Sequence, residues 1–341
     1  MSEKHICLIY TGGTVGMVRT AHGYAPMPDF AHVLCAALAG CGGALPRYTL
    51  HAYATPIDSS NATPDDWRRI AADVATRYDD YDGFVILHGT DTLAYTASAL
   101  SFMLRGLRKP VIVTGAQIPL GEARSDALQN VVTSLQLAAS EAIAEVAIYF
   151  NQRLLRGNRS TKVSAESFDA FDSPNYPRLG CAGIGLRLDS FTLLPRAEKE
   201  EFRLPPYDTG RILPIRFVPG LPVNAVQAML ALAPQALIFQ CYGAGNAPDR
   251  DPALFDLVAK AAARGIVPVV CSQSPHGRVR LGAYATGASL ARAGAVGALD
   301  MTFEAIFAKL HHLFALGLSP QAVKAELVRN LSGEVTEERT G

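Results

Sequence analysis

The sequence predicts an α/β protein of two α/β domains with largely parallel sheets, a larger N-terminal and a smaller C-terminal one joined by a linker. Three observations carry that reading. Short β-branched runs alternate with helical patterns, each run ends in a loop that feeds a helix, and the alternation lapses once past mid-chain. The runs at 6–10, 85–87, 111–114 and 146–150 are apolar but for Thr114, as strands covered on both faces are expected to be. Between them Leu93, Ala97, Leu100 and Leu104 recur at helical spacing, and Thr63-Pro64-Asp65-Asp66 opens a helix with proline at its first position. From about residue 190 to 212 the pattern gives way to Pro195, the charged Glu198-Lys199-Glu200-Glu201 cluster and Pro205-Pro206, which suits an exposed linker. The expected domains are therefore 1–190 and 212–341, with 191–211 between them. In the second, strands are expected at 212–217, 236–239 and 267–271, and a helix presents Phe303, Ile306, Phe307, Leu310 and Leu313 on one face. Parallel sheets gather their ligands at the carboxyl ends of the strands, so function is expected in those loops.

Composition narrows the partners. With 31 Lys and Arg against 31 Asp and Glu, and no basic block, nothing invites a nucleic acid; a small molecule is the expected ligand. The apolar stretch at 6–10 is too short for a signal peptide, and no apolar run approaches the about 20 residues of a membrane span. The cysteines at 7, 35, 41, 181, 241 and 271 form no C-x-x-C and no zinc spacing, so reduced thiols, a cytoplasmic location and no metal site are expected.

Four loops hold the chemistry. Tyr10-Thr11-Gly12-Gly13-Thr14-Val15-Gly16 sets two hydroxyls on a tight glycine turn; its GGxxG spacing and the lack of a following Gly-Lys-Ser/Thr fail both nucleotide-binding fingerprints. His88-Gly89-Thr90-Asp91-Thr92 follows a central strand, where Asp91 reads equally as a helix-start residue and as a site carboxylate. Thr55-Pro56-Ile57-Asp58-Ser59-Ser60 is composed of turn residues. Arg153, Arg156, Arg159 and Lys162 crowd the segment after the strand ending at Phe150; most of the arginines are expected in solvent. A lysine in a dry crevice gives up its proton more readily, which makes Lys162 a usable base for a hydroxyl. His88 reads as a packed strand-end histidine.

Taken together, the Thr14 and Thr90 motifs resemble the bacterial-type L-asparaginases, particularly their cytoplasmic type I branch. Asp58-Ser59-Ser60, Thr114-Gly115-Ala116-Gln117, Lys162 and Tyr242-Gly243-Ala244-Gly245-Asn246-Ala247-Pro248 follow in order, so the resemblance spans most of the chain. It implies hydrolysis of L-asparagine to aspartate and ammonia through an acyl enzyme on Thr14, without metal or organic cofactor, in a homodimer or homotetramer whose sites lie near a subunit interface. It also implies that Thr90, Asp91 and Lys162 handle protons and that Tyr24, in the flexible Gly23-Tyr24-Ala25-Pro26 stretch, closes over the site and bonds to Thr14. The substrate's charges suggest further roles: Asp91, joined by Asp58, for the ammonium; Ser59 with Ser60 and backbone N–H groups for the carboxylate; and Ala116 in the binding loop. A candidate second site or interface comprises Gln240, Asn246, Ser272, Gln273 and Tyr284. Some type I members use an arginine where this chain has Gln240, which argues against allosteric control here. The alternatives are a glutaminase-asparaginase or related amidase, and a non-catalytic small-molecule-binding module; glutamine differs from asparagine by one methylene, worth only about 1–3 kcal/mol in a pocket. An amidase for misacylated tRNA is disfavoured by the early first strand and the balanced charge.

Overall fold

Strands that are apolar on both faces need helices on both sides, and the first unit is built that way. The computed structural model describes residues 3–42, 45–208, 211–248, 252–282 and 285–337, and the chain divides into two units, Met1–Leu204 and Pro205–Gly341. The first holds an eight-stranded sheet in the order Leu186–Leu188, Gly180–Ala182, Arg153–Arg156, Val146–Phe150, Val111–Thr114, Gly83–Leu87, His5–Gly12, Arg47–Ile57. The last five are parallel; Arg153–Arg156 doubles back against Val146–Phe150 through Asn151 and Gln152, both left-handed at φ 41° and 66°. Counted in chain order, the parallel strands stand 2-1-3-4-5. The connections leaving the first strand and reaching the third therefore part to opposite sides, leaving a crevice at the carboxyl ends of His5–Gly12 and Gly83–Leu87. Ile6, Leu8, Val85, Leu87 and Ile112 pack on one face with Leu34, Leu38, Val131 and Leu135 of the covering helices. The alternate residues Cys7, Ile9, Phe84, Ile86 and Val113 point the other way and are just as buried.

Two expectations change in detail. The extended run near His51 is an eleven-residue strand, Arg47–Ile57, so the third loop begins only at Asp58. Residues 191–211 are not a loose linker along their length. Glu201–Phe202 pairs antiparallel with Leu104–Arg105, Arg203 N–H donates to Met103 O at 2.8 Å, and the first unit runs on to Leu204. A two-residue ladder satisfies backbone groups without needing an apolar pattern, so charged composition conceals it.

In the second unit Ile212–Arg216, Ala236–Cys241, Val267–Ser272 and Val296–Gly297 form a parallel sheet in sequence order. Ile306, Leu310 and Leu313 of helix Phe303–Ala315 cover one face together with Val323 and Leu327, while Val226, Leu254 and Val258 cover the other. Among the described residues no helix is long and apolar enough to cross a membrane.

Helix Phe303–Ala315 also buries His311 against the Tyr207 ring, with centroids 5.8 Å apart, and burial lowers its pKa to about 4. The folded imidazole is then neutral, whereas the unfolded one binds a proton below about pH 6.5. Between about pH 6.5 and 4 the unfolded chain holds the extra proton, so stability falls as the pH drops through that window, by about 3 kcal/mol at its foot. Urea midpoints at pH 7 and pH 4.5 are expected to fall further apart for the wild type than for His311→Gln. Equal separations would show that the folded imidazole is not held neutral.

Candidate active site

Glycine determines how closely the loops approach one another. The first strand ends at Gly12 and Gly13 follows it, at φ 137° and 91°, backbone that L side chains rarely adopt. A Cβ on Gly12 would fall 2.2 Å from Ile57 O, and one on Gly13 would fall 2.3 Å from Gly89 N. Immediately beyond, Thr14–Gly16 makes one tight helical turn closed by Gly16 N–H to Gly13 O at 3.1 Å, with Thr14 half-buried. Thr11 Oγ1 donates to Leu87 O at 2.8 Å and fastens the first strand end to the neighbouring one.

The remaining loops are drawn to the same place. Gly89 lies against Ser59, where a Cβ would sit 2.4 Å from Ser59 Oγ, and Thr92 Oγ1 donates to Ser59 O at 2.8 Å. Leu120 N–H donates to Val15 O at 3.2 Å, which brings the segment after Ala116 to the Thr14 turn; Ala116 and Ser59 are both buried. The loops carrying Thr14, Ser59, Thr90 and Ala116 thus converge at the crevice that the strand order creates.

Lys162 reaches this crevice from a short antiparallel ladder, Thr161–Lys162 with Phe171–Asp172. Its Nζ donates to Thr90 Oγ1 at 2.9 Å and to Asp91 Oδ1 at 2.7 Å. Thr90 is buried, whereas the Asp91 side chain is 62% exposed and that of Lys162 21%. In place of a dry pocket, the lysine bridges a buried hydroxyl and a solvent-facing carboxylate. Asp91 does not cap the following helix, whose N-cap is Thr92. His88 is packed as expected. Its Nδ1 lies 2.8 Å from Gly89 O and its Nε2 3.0 Å from Thr96 Oγ1, and burial lowers its pKa.

Other candidates lie differently from the sequence reading. The Asp58 carboxylate accepts from Ser60 N–H at 3.0 Å and Asn61 Nδ2 at 3.2 Å, serving its own turn, and Ser60 is exposed. Tyr24 is not in an irregular flexible loop: Gly23–Pro26 pairs with Met17–Thr20, and the half-exposed Tyr24 ring lies 5.6 Å from the Arg19 guanidinium. Among the described residues it makes no bond to Thr14, because the hairpin register sets Tyr24 opposite Arg19. Two of the three arginines are not left in solvent. Arg156 is buried with Glu145 at 2.6 Å, and buried Arg159 donates to Asn175 O at 2.7 Å. Arg153 pairs with Asp169 at 2.9 Å. In the second unit, Gln273 Nε2 donates to Gln240 O at 2.8 Å and Phe217 O at 2.6 Å, Ser272 Oγ accepts from Ser274 N–H, and Asn246 pairs with Tyr242. Gln240, Ser272 and Gln273 are thereby brought together at the strand ends; Tyr284 lies outside the described residues.

Thr92, Arg19 and Asp126 make contacts that assign them roles which composition and spacing do not. Only Asp126 carried a local signal, as an acid opening an amphipathic helix. Open hollows of ≈ 510 and ≈ 620 Å³ beside Tyr53 and Cys181 are lined by none of the crevice residues.

Residues 5–190 match the family model described as Asparaginase, N-terminal, and residues 211–327 match that of the Glutaminase/Asparaginase C-terminal domain. The chain is similar to L-asparaginase 1 of Escherichia coli (strain K12), 46% identical over 347 residues that cover 98% of this chain and 99% of that one. L-asparaginase I from Vibrio cholerae has a solved structure that superposes with a TM-score of 0.90 at 43% identity, over 98% of this chain and 100% of the other. The thermostable L-asparaginase from Thermococcus kodakarensis superposes with a TM-score of 0.87 at 32% identity over the same shares.

Proposed function

We propose that this chain, since it belongs to the asparaginase family in both of its units, hydrolyses L-asparagine to L-aspartate and ammonia through an acyl enzyme on Thr14. The observation that carries the reading is Lys162 Nζ bridging Thr90 Oγ1 and Asp91 Oδ1 beside the Thr14 turn. An alcohol is a weak nucleophile until a base takes its proton, and this trio supplies groups of the kind that can receive one. In this reading the Thr90 hydroxyl turns from accepting to donating toward Lys162 Nζ, the Thr14 proton passes by way of Thr90 to that nitrogen, and Asp91 balances the ammonium that results. Thr14 Oγ attacks the side-chain amide carbon. The tetrahedral intermediate collapses, the returned proton leaves with nitrogen as ammonia, and water frees aspartate from the Thr14 ester.

The rest of the crevice matches the substrate's charges. The second oxygen of Asp91 takes the substrate ammonium, while Ser59 with Ser60 and neighbouring N–H groups take the carboxylate. Backbone N–H groups near Thr14 and Thr90 hold the oxyanion, each worth about 2.7–4 kcal/mol in comparable sites. Tyr24 reaches Thr14 when the hairpin folds down over bound substrate, excluding water. The reading extends to a homodimer or homotetramer in the cytoplasm, a location supported by six cysteines that are all free.

Purified chain is expected to release ammonia from L-asparagine with a turnover above about 1 s⁻¹. Release from L-glutamine alone would reassign the substrate, and release from neither amide would replace the enzyme with a binding module.

A further inference from the structure

The loop at 163–170, which closes the ladder carrying Lys162, is held by three tethers from outside itself. Gln117 Nε2 donates to Ser167 O at 3.0 Å, Asn151 Nδ2 donates to Asp169 Oδ1 at 2.7 Å, and Arg153 Nη2 pairs with Asp169 Oδ2 at 2.9 Å. The Gln117 and Asn151 tethers are themselves held from the start of one helix, Ala127–Ala138. The Asp126 carboxylate accepts from Gln117 N–H with both oxygens at 3.0 Å and from Ile118 N–H at 3.0 Å. Buried Asn130 accepts on Oδ1 from Asn151 N–H at 3.3 Å, and its Nδ2 donates to Gly115 O at 3.0 Å and Asp126 Oδ2 at 3.1 Å.

This is unusual work for a helix start. An aspartate at the N-cap position ordinarily accepts from its own first turn. Asp126 makes no such bond; Ser125 Oγ takes Ala127 N–H at 3.1 Å instead, and the carboxylate faces the loop at 117–118. Asn130 engages both ends of its carboxamide across three segments, a full use of its donors and acceptor that packing alone would not require.

We infer that Asp126 and Asn130 are positioning residues that hold the arm carrying Lys162 against the Ala116 loop, so that Nζ meets Thr90 and Asp91. The inference rests on the reading of Lys162 as part of the proton relay in asparagine hydrolysis. Asp126→Asn preserves size but leaves one oxygen for the three donors, Gln117 N–H, Ile118 N–H and Asn130 Nδ2, that the carboxylate's two oxygens now accept, so the anchor of the Gln117 and Asn151 tethers is weakened. Misplacement of a catalytic group by about 1 Å costs on the order of a hundredfold in rate.

The test combines kinetics with hydrogen exchange. Asp126→Asn is expected to lower kcat for L-asparagine by about 10- to 100-fold while KM rises less, and to speed amide exchange at 163–170 by at least about tenfold. Gln117→Ala severs one tether without touching the helix; a kcat loss of about threefold and faster exchange in the same segment are expected, and this variant decides the matter if Asp126→Asn does not fold. In a Lys162→Met background the Asp126 substitution is expected to lose most of its effect on rate. The same factor in both backgrounds would make Asp126 merely structural and overturn the inference, as would unchanged exchange at 163–170. A wild type that releases no ammonia from asparagine, with exchange still quickened in the variants, would sink the catalytic reading and leave the tethers standing.

Discussion

Thr14→Ala is expected to lower kcat for ammonia release from L-asparagine by about 10⁴-fold or more, with substrate binding largely kept. The size follows from what the hydroxyl does: without it no ester forms, and the remaining donors and charges supply only the residual catalysis left when a nucleophile is deleted. The Thr14 turn makes the substitution a clean one. Gly12 and Gly13 set the backbone, and the turn is closed by Gly16 N–H to Gly13 O rather than by the side chain. Thr14→Ser keeps a hydroxyl and is expected to keep measurable turnover. Rapid quenching with mass detection of a β-aspartyl adduct on the wild type, absent from Thr14→Ala, completes the check. A Thr14→Ala rate within tenfold of wild type would remove Thr14 as the nucleophile.

The largest loss of stability is expected at Lys309→Met, about 3–5 kcal/mol. Lys309 and Glu334 are both fully buried, with Nζ 2.6 Å from Oε1. The ammonium also donates to Leu327 O at 2.8 Å and Arg329 O at 2.5 Å, satisfying carbonyls at and just beyond the end of helix Pro320–Leu327. The Glu334 carboxylate in turn accepts from Leu331 N–H at 3.0 Å and Ser332 N–H at 2.7 Å, so one ion pair folds the tail of the second unit onto its helices. Removing the lysine leaves a carboxylate uncompensated in the interior. Lys309→Met with Glu334→Leu removes both charges and is expected to recover part of the loss. Urea denaturation followed by circular dichroism measures both variants; a loss below about 1 kcal/mol for the single variant would show that the pair is dispensable.

Legibility differed from residue to residue. Thr14 and Thr90 were readable because each follows an apolar strand run and sits among glycines, and both signals lie within a few residues of the hydroxyl. Lys162 was readable as a cation near a strand end, but its three arginine neighbours looked the same on paper. Arg156 and Arg159 are buried and Arg153 is paired at the surface, and nothing in the local pattern separates those fates. Tyr24 sits in a Gly- and Pro-bearing stretch that reads as flexible. In the structure, Met17–Thr20 gives it strand pairing and a cation for its ring. Asp126 reads as an ordinary helix cap until the loop at 117–118 is laid across it.

By itself the sequence determined the α/β class, the position of most strands, and the glycine turns that carry Thr14 and Thr90. These depend on periodicity and on backbone freedom within one or two turns of chain. Tertiary structure alone decided that Lys162 meets Thr90 across 72 residues, that Arg156 and Arg159 are buried, that Tyr24 stacks on Arg19, and that the first unit ends at Leu204. The partner of a charge is chosen by desolvation and by geometry between distant segments, and neither leaves a period in the sequence.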